Sequence, residues 1–239
     1  MKIGIITYHF ARNYGAILQC YALQDQLCSM GHDVWVLNYQ NVRQERNNSL
    51  HHKRDGFLSN LAVNVALLPF EGKRRSKERK FAEYESRYLH LTPRFYSIDE
   101  MRDFVNEESF DLLISGSDQV FNPNIADFDE AFLFPFETSA RKGSFAASLG
   151  SATETELVPF SDDLASFDVL CVRENTDAPV VNSLCGRSPE VVDDPVFLLD
   201  SKRWAQAVDT SVEDRGYVLG YYINKEASAR YLELTEQAA

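Results

Sequence analysis

The stretch Asp111-Leu-Leu-Ile-Ser-Gly-Ser-Asp-Gln-Val-Phe-Asn122 sets the terms for the rest of the chain. Leu112, Leu113 and Ile114 form a short unbroken apolar run, which suits a strand covered on both faces in a parallel sheet. The residues after it then lie at a carboxyl edge, where open α/β sheets hold their ligands. Ser115, Gly116, Ser117, Asp118 and Gln119 are therefore the first site candidates. Gly, Ser and Asp also make ordinary turns, so a plain strand-to-loop connection fits the same five residues.

The same pattern recurs along the chain. A first strand is predicted over 2–8, a helix with Ala16, Cys20, Leu23, Leu27 and Met30 at helical spacing and Gly31 as its C-cap, and a strand over 34–39. This is a βαβ unit, with parallel strands and a right-handed crossover. The turn inside it, 9–15, lacks GxGxxG and so carries no dinucleotide fingerprint. It does set Asn13 and Gly15 at a helix N-terminus beside Arg12, where an anion is favoured; Asn13 as a simple helix cap is the other reading.

Between 42 and 79 the pattern loosens. Asn47, Asn48 and Ser49 read as loop, and Phe57, Leu58, Leu61, Val65 and Leu68 as an amphipathic helix before Pro69. We expect a helical, basic insertion around 43–80. It holds ten basic residues against four acidic, a charge of +6, so that the rest carries −18 of the overall −12. That total argues against a nucleic-acid surface. The basic flanks at 51–54 and 73–77 suit an anionic polymer or a peripheral membrane contact, or simply a solvated face.

Further on, helices are expected over 77–89, from a Ser97-x-x-Glu100 capping box, over 157–167 and over 176–184. Residues 132–136 form an apolar segment. Strands are expected over 142–147, 169–172 and 190–192, and Asp193-Asp-Pro195 breaks the last of them. The polar strand exits are 148–151 and Arg173-Glu174-Asn175. The fold class is thus α/β, a Rossmann-like parallel sheet flanked by helices. Residues 1–200 form one domain, and 201–239, with a strand over 217–223 and a helix over 225–234, read as the incomplete start of a second.

The N-terminus has neither the apolar run nor the cleavage site of a signal peptide, and no apolar run reaches membrane-spanning length; a cytoplasmic protein is expected. Cys20, Cys28, Cys171 and Cys185 form no CxxC and read as free thiols. Cys20 and Cys28 are about 12 Å apart on one helix, too far to bridge. The five histidines show no metal-ligand spacing.

Five stretches in order, Asn13-Tyr-Gly-Ala-Ile-Leu-Gln-Cys-Tyr-Ala-Leu-Gln24, Gly116-Ser-Asp-Gln-Val-Phe-Asn-Pro123, Phe145-Ala-Ala-Ser-Leu-Gly150, Val172-Arg-Glu174 and Asp194-Pro-Val-Phe-Leu-Leu199, resemble the polysaccharide pyruvyl transferase family. Phe121 stands where many members carry tryptophan. The resemblance implies a GT-B-like architecture of which this chain represents the N-terminal half, and transfer of pyruvate as a ketal from phosphoenolpyruvate to a sugar of a bacterial surface or capsular glycan precursor, free or lipid-linked, at the inner face of the membrane. No cofactor is implied beyond phosphoenolpyruvate as donor. Such chemistry needs an acid, a base and cations for phosphate and carboxylate.

On that resemblance Arg173 is the candidate anion clamp and Asp118 the candidate base toward a sugar hydroxyl. Gln119 and Asn122 would hold neighbouring hydroxyls, Asn13, Gly15, Gly116 and Ser117 would complete the acceptor wall, and Ser148, Gly150 and Glu174 would line its floor. Each has a bland counterpart, Arg173 in an ion pair with Glu174 and Asp118 as a turn cap. The family's donor-binding basic residues lie largely in its second half, so a glycan-binding remnant stands as one alternative and a GT-B enzyme using a nucleotide sugar as another.

Overall fold

In a computed structural model, residues 1–49, 56 and 63–208 are described. They fall into two compact units, Met1–Asp200 and Ser201–Ala239. Among its described residues the first contains six parallel strands: β1 (Lys2–Ile6), β2 (Asp33–Val36), β3 (Leu112–Ser115), β4 (Arg141–Ser144), β5 (Cys171–Val172) and β6 (Glu190–Val191). Four of them pair in the order β2-β1-β3-β4, and β5 pairs with β6. Parallel bridges Gly143–Val169 and Ala147–Val172 lay the second pair beside β4, while Val36–Leu91 and Tyr39–Phe95 extend the other edge beyond β2. The expected parallel α/β sheet is what the chain forms.

The helices are α1 (Tyr14–Ser29), α2 (Val42–Asn47), α3 (Glu71–Tyr88), α4 (Ile98–Glu107), α5 (Glu154–Leu157), α6 (Ser161–Ala165), α7 (Asp177–Cys185) and, in the second unit, α8 (Ser201–Ala207), which carries Trp204. Residues 63–67 are also helical. Two cores sit on the two faces of the sheet. Ile3, Ile5, Val34 and Ile114 pack with Leu23 of α1 on one face. Ile6 and Leu113 pack with Met101 and Val105 of α4 on the other. Period-two alternation along β1 feeds both. Trp35, on β2, is half-buried and donates its indole N–H to Asp33 at 2.9 Å.

Helix α1 is buried along much of its length because α3 covers its outer side, with Tyr21 meeting Tyr84 and Tyr88 at 6.1 and 5.8 Å between ring centroids. Its polar Gln24 is accommodated by Tyr88 O at 2.9 Å and the His90 N–H at 2.7 Å. Gly31 follows with φ +87, as the expected C-cap requires.

Several boundaries differ from those the sequence suggested. The helix expected over 77–89 starts at Glu71, because the basic run is helical: Arg75 pairs with Glu71 one turn back at 2.6 Å and Arg79 with Glu83. Helix α2 was not anticipated; Asn41 and Gln44 cap each other in a capping box where a loop was expected to follow. The helix over 157–167 is three pieces, since Pro159 puts a 3-10 turn between α5 and α6. Strands run shorter than their apolar runs, and 132–136 starts in the 3-10 turn Glu130–Leu133, with Phe132, Leu133 and Phe134 buried. At α4, Ser97 accepts the Glu100 N–H, but Glu100 reaches back to Tyr96 N. Phe57, Leu58, Leu61 and the 51–54 flank, like the strand and helix expected beyond 209, lie outside the described residues. None of the described helices is long and apolar enough to cross a membrane.

Candidate functional site

From β1 the chain moves outward to β2, then returns to place β3 on the other side of β1. In open α/β sheets such a reversal marks the crevice that takes ligands, here at the exits of β1 and β3.

The two exits are tied together. Thr7, just after β1, donates its hydroxyl to Ser117 O at 2.9 Å, and Gln19 of α1 donates to Thr7 Oγ1 at 2.8 Å while accepting the Ser117 N–H at 3.0 Å. All three side chains are buried. Ser117 also gives its hydroxyl to Ala146 O at 2.9 Å, so its polar atoms hold the turn in place. The Gly116–Ser117 peptide is cis, and Gly116 has φ +117. A Cβ there would run into Phe145 O. Gly116 and Ser117 therefore fix the backbone that presents Asp118.

Asp118 sits half-buried with φ +79, its Oδ1 accepting the Gln119 N–H at 2.8 Å and its carbonyl accepting the Ser148 N–H at 2.9 Å. Burial pushes its carboxyl above the usual range; the Gln119 N–H and Arg173 pull the other way, and Asp194 and Glu174 add to the rise. Next to it, Asn122 donates to Gln119 Oε1 at 2.8 Å and accepts the Asn124 N–H at 3.0 Å. These side chains fill the space above Gly150, which has φ +56 and donates to Ser148 Oγ at 3.0 Å.

Arg173 follows β5, anchored by its N–H on Ala147 O at 3.0 Å. Its guanidinium is engaged on two sides, with Nε on Glu174 Oε1 at 2.8 Å and Nη1 on Asp194 Oδ2 at 3.2 Å. Burial works against its charge, but these carboxylates hold it protonated. The ion-pair reading and the site reading of Arg173 thus coexist, and an incoming anion must displace a carboxylate. Glu174 stays below the usual range despite burial, through Arg173 and Ser148. Asp177, buried at the start of α7, accepts the Leu149 N–H at 2.9 Å; burial raises its pKa, with Glu174 adding to the rise.

The fold therefore gathers Asp118, Gln119, Asn122, Ser148, Gly150, Arg173 and Glu174 into one hydrogen-bonded edge. Asn13 and Gly15 stand on the β1 side of the crevice, where the Asn13 side chain accepts the Gly15 N–H at 2.9 Å and so caps α1. A family model described as polysaccharide pyruvyl transferase matches residues 13–237. The chain belongs to the polysaccharide pyruvyl transferase family. No curated protein matches it.

The matched region of this pyruvyl transferase family member begins at the cap of α1 and takes in every strand exit after the first. Four residues at or beside the edge were not named as site candidates from the sequence. Asp194 had been read as part of a strand break and as the first residue of the fifth family stretch, and Asp177 was not singled out at all. Thr7 and Gln19 had a signal: each is a polar residue set in an apolar pattern, Thr7 at the end of the first strand and Gln19 beside Ala16, Cys20 and Leu23 on the buried stripe of α1. Among the described residues there is no cluster of three or more His, Cys, Asp or Glu that could hold a metal ion.

Proposed function

We propose that this protein transfers pyruvate as a ketal from phosphoenolpyruvate to two hydroxyls of a glycan precursor, and that the edge around Asp118 is the acceptor side. The donor methylene takes a proton, the two sugar oxygens add at the adjacent carbon and lose their protons, and phosphate leaves. Asp118 is the base toward the attacking hydroxyl; burial raises its pKa and so makes its carboxylate a stronger base. Gln119 and Asn122 offer amides to neighbouring hydroxyls, and Ser148, Gly150 and Glu174 form the floor. No bound cofactor enters this scheme.

The observation that carries this reading is the balance of charge. One guanidinium, Arg173, stands among Asp118, Glu174, Asp177 and Asp194. Such an edge keeps one cation for an anionic donor and otherwise matches a polyol, which meets both acceptors and donors. Arg173 serves the donor by meeting its charge when the Asp194 contact opens. The same neutralised Arg173 favours one further reading, a glycan-binding protein without transfer.

The test is incubation with phosphoenolpyruvate and candidate free or lipid-linked oligosaccharides, with phosphate release and the ketal methyl signal followed by NMR. Release coupled to a new methyl signal is expected. Saccharide binding with neither signal would establish the binding-only reading.

A further inference from the structure

A second cavity, of about 220 Å³, opens beside the crevice, between the β1–α1 loop, the residues following β2, and α3. It is larger than a few bound waters need. The loop that walls it is the one that Thr7 pins to Ser117, so His9 stands two residues from Thr7 and Asp118 one residue from Ser117. Cavity and acceptor edge are neighbours along one rim of the sheet.

Its walls combine rings with planar polar groups. Phe10 and Phe81 supply apolar surface. His9 is buried, one ring nitrogen 3.2 Å from Thr7 O and the other 3.2 Å from Asn38 Oδ1. Gln40 accepts from Arg94 at 2.8 Å, and Arg12 pairs with Glu78 at 3.0 Å. Each cation is thus already oriented by a protein partner. The Arg94 Nε is buried and has no hydrogen-bond partner among the described residues, a donor in want of an acceptor. Glu85 also lines the cavity, and burial pushes its carboxyl up to about 7 against the pull of Arg12.

This balance discriminates among ligands. An anion would gain from Arg12 and Arg94 but meet Glu78 and Glu85 in the same small space. A cation would meet the converse. A neutral ring bearing hydroxyls finds donors and acceptors already fixed in place, with Phe10 and Phe81 for its C–H surface, the combination of apolar wall and few placed polar groups that small-ligand pockets use.

We propose that this cavity is a second saccharide subsite, taking a neutral pyranose ring next to the one presented to Asp118, so that the acceptor is an oligosaccharide of at least two rings. The proposal rests on the reading of the Asp118 edge as the acceptor side, and deepens it.

The test is titration of the full chain, by saturation-transfer NMR, with a panel of neutral methyl hexosides and the di- and trisaccharides built from them. The best-bound oligosaccharide is expected to bind at least tenfold tighter than its component hexoside. Gln40→Ala and Asn38→Ala should each remove most of that gain and leave hexoside affinity unchanged. Both side chains are only half-buried, and a thermal melt matching the wild type confirms that the variants fold. Equal affinity for one ring and two, indifference to both variants, no saccharide binding, or tighter binding of inorganic phosphate or a uronic acid would overturn the subsite. Efficient ketal formation on a single hexoside, unaffected by Gln40→Ala, sinks the subsite and spares the transferase reading. Oligosaccharide binding lost in Gln40→Ala without any phosphate release does the reverse.

Discussion

Asp118 owes its position to its neighbours. Gly116 supplies a positive φ against Phe145 O, and Ser117 is held from three directions, so the carboxyl arrives at the crevice on a backbone with little freedom. Gly116→Ala must strain φ and displace the Phe145 carbonyl; a loss of at least about 2 kcal/mol in urea denaturation is expected. Asp118→Asn keeps the shape of the side chain and removes the carboxylate proposed as the base. Turnover should fall by about 10²- to 10⁴-fold with the melting temperature little changed. Because burial raises the Asp118 pKa, the acid limb of kcat/KM should lie above the ordinary aspartate range, activity rising as pH increases through it. A limb at the unperturbed value would remove Asp118 from that role. At this scale the sequence was informative where a residue's own neighbours define it: the turn after Ile114 is local chemistry. Asp194, at 3.2 Å from Arg173 across 21 residues, is a long-range partner, and no local pattern shows that pairing.

Among the elements, α3 is the one whose energetics are least conventional. Its outward face is a run of basic residues with acids one turn away, but toward α1 it carries Phe81, Tyr84, Glu85 and Tyr88. Glu85 binds a proton in the native state up to about pH 7, whereas the unfolded chain releases it near 4.5. The native state therefore holds more protons between these values, and stability falls as pH rises across the window. Discounted for partial exposure, the effect is on the order of 2–3 kcal/mol. Glu85→Gln should flatten the dependence of stability on pH between 4.5 and 7, as read by chemical denaturation, and leave the variant more stable than the wild type at pH 8. Element type was legible for α1 from periodicity and for α4 from its capping box. Boundaries were less so, for a physical reason: Tyr8 and Leu37 remain buried after β1 and β2 end, so burial outlasts the ladder. The onset of α3 was hidden because its basic run looks like a solvated loop until each charge is matched to its partner one turn away.

For the whole molecule, the alternation of short apolar runs with helical stretches was enough to give a parallel α/β sheet. Strand order was not in that pattern. It follows from which side of β1 each crossover chooses, and the choice of β3 to lie opposite β2 is what sets the switch point at their exits. The family resemblance named strand exits without saying which of them touch: Asn13 and Gly15 keep to the first turn of α1, Gly116 and Ser117 hold the turn before Asp118, and the other seven candidates form a polar edge.

The chain has two tryptophans, and they fall one to each compact unit, Trp35 on β2 and Trp204 on α8. Trp35→Phe leaves a single indole in the 201–239 unit, and Trp204→Phe a single indole in the sheet. In the second variant the emission change on adding urea should coincide with loss of far-UV circular dichroism, since Trp35 lies in the Met1–Asp200 unit, which holds most of the chain. Comparison of the two emission curves then measures directly whether the units come apart together or in turn. The protein is, in this sense, labelled by its own sequence for an unmixing of its two parts.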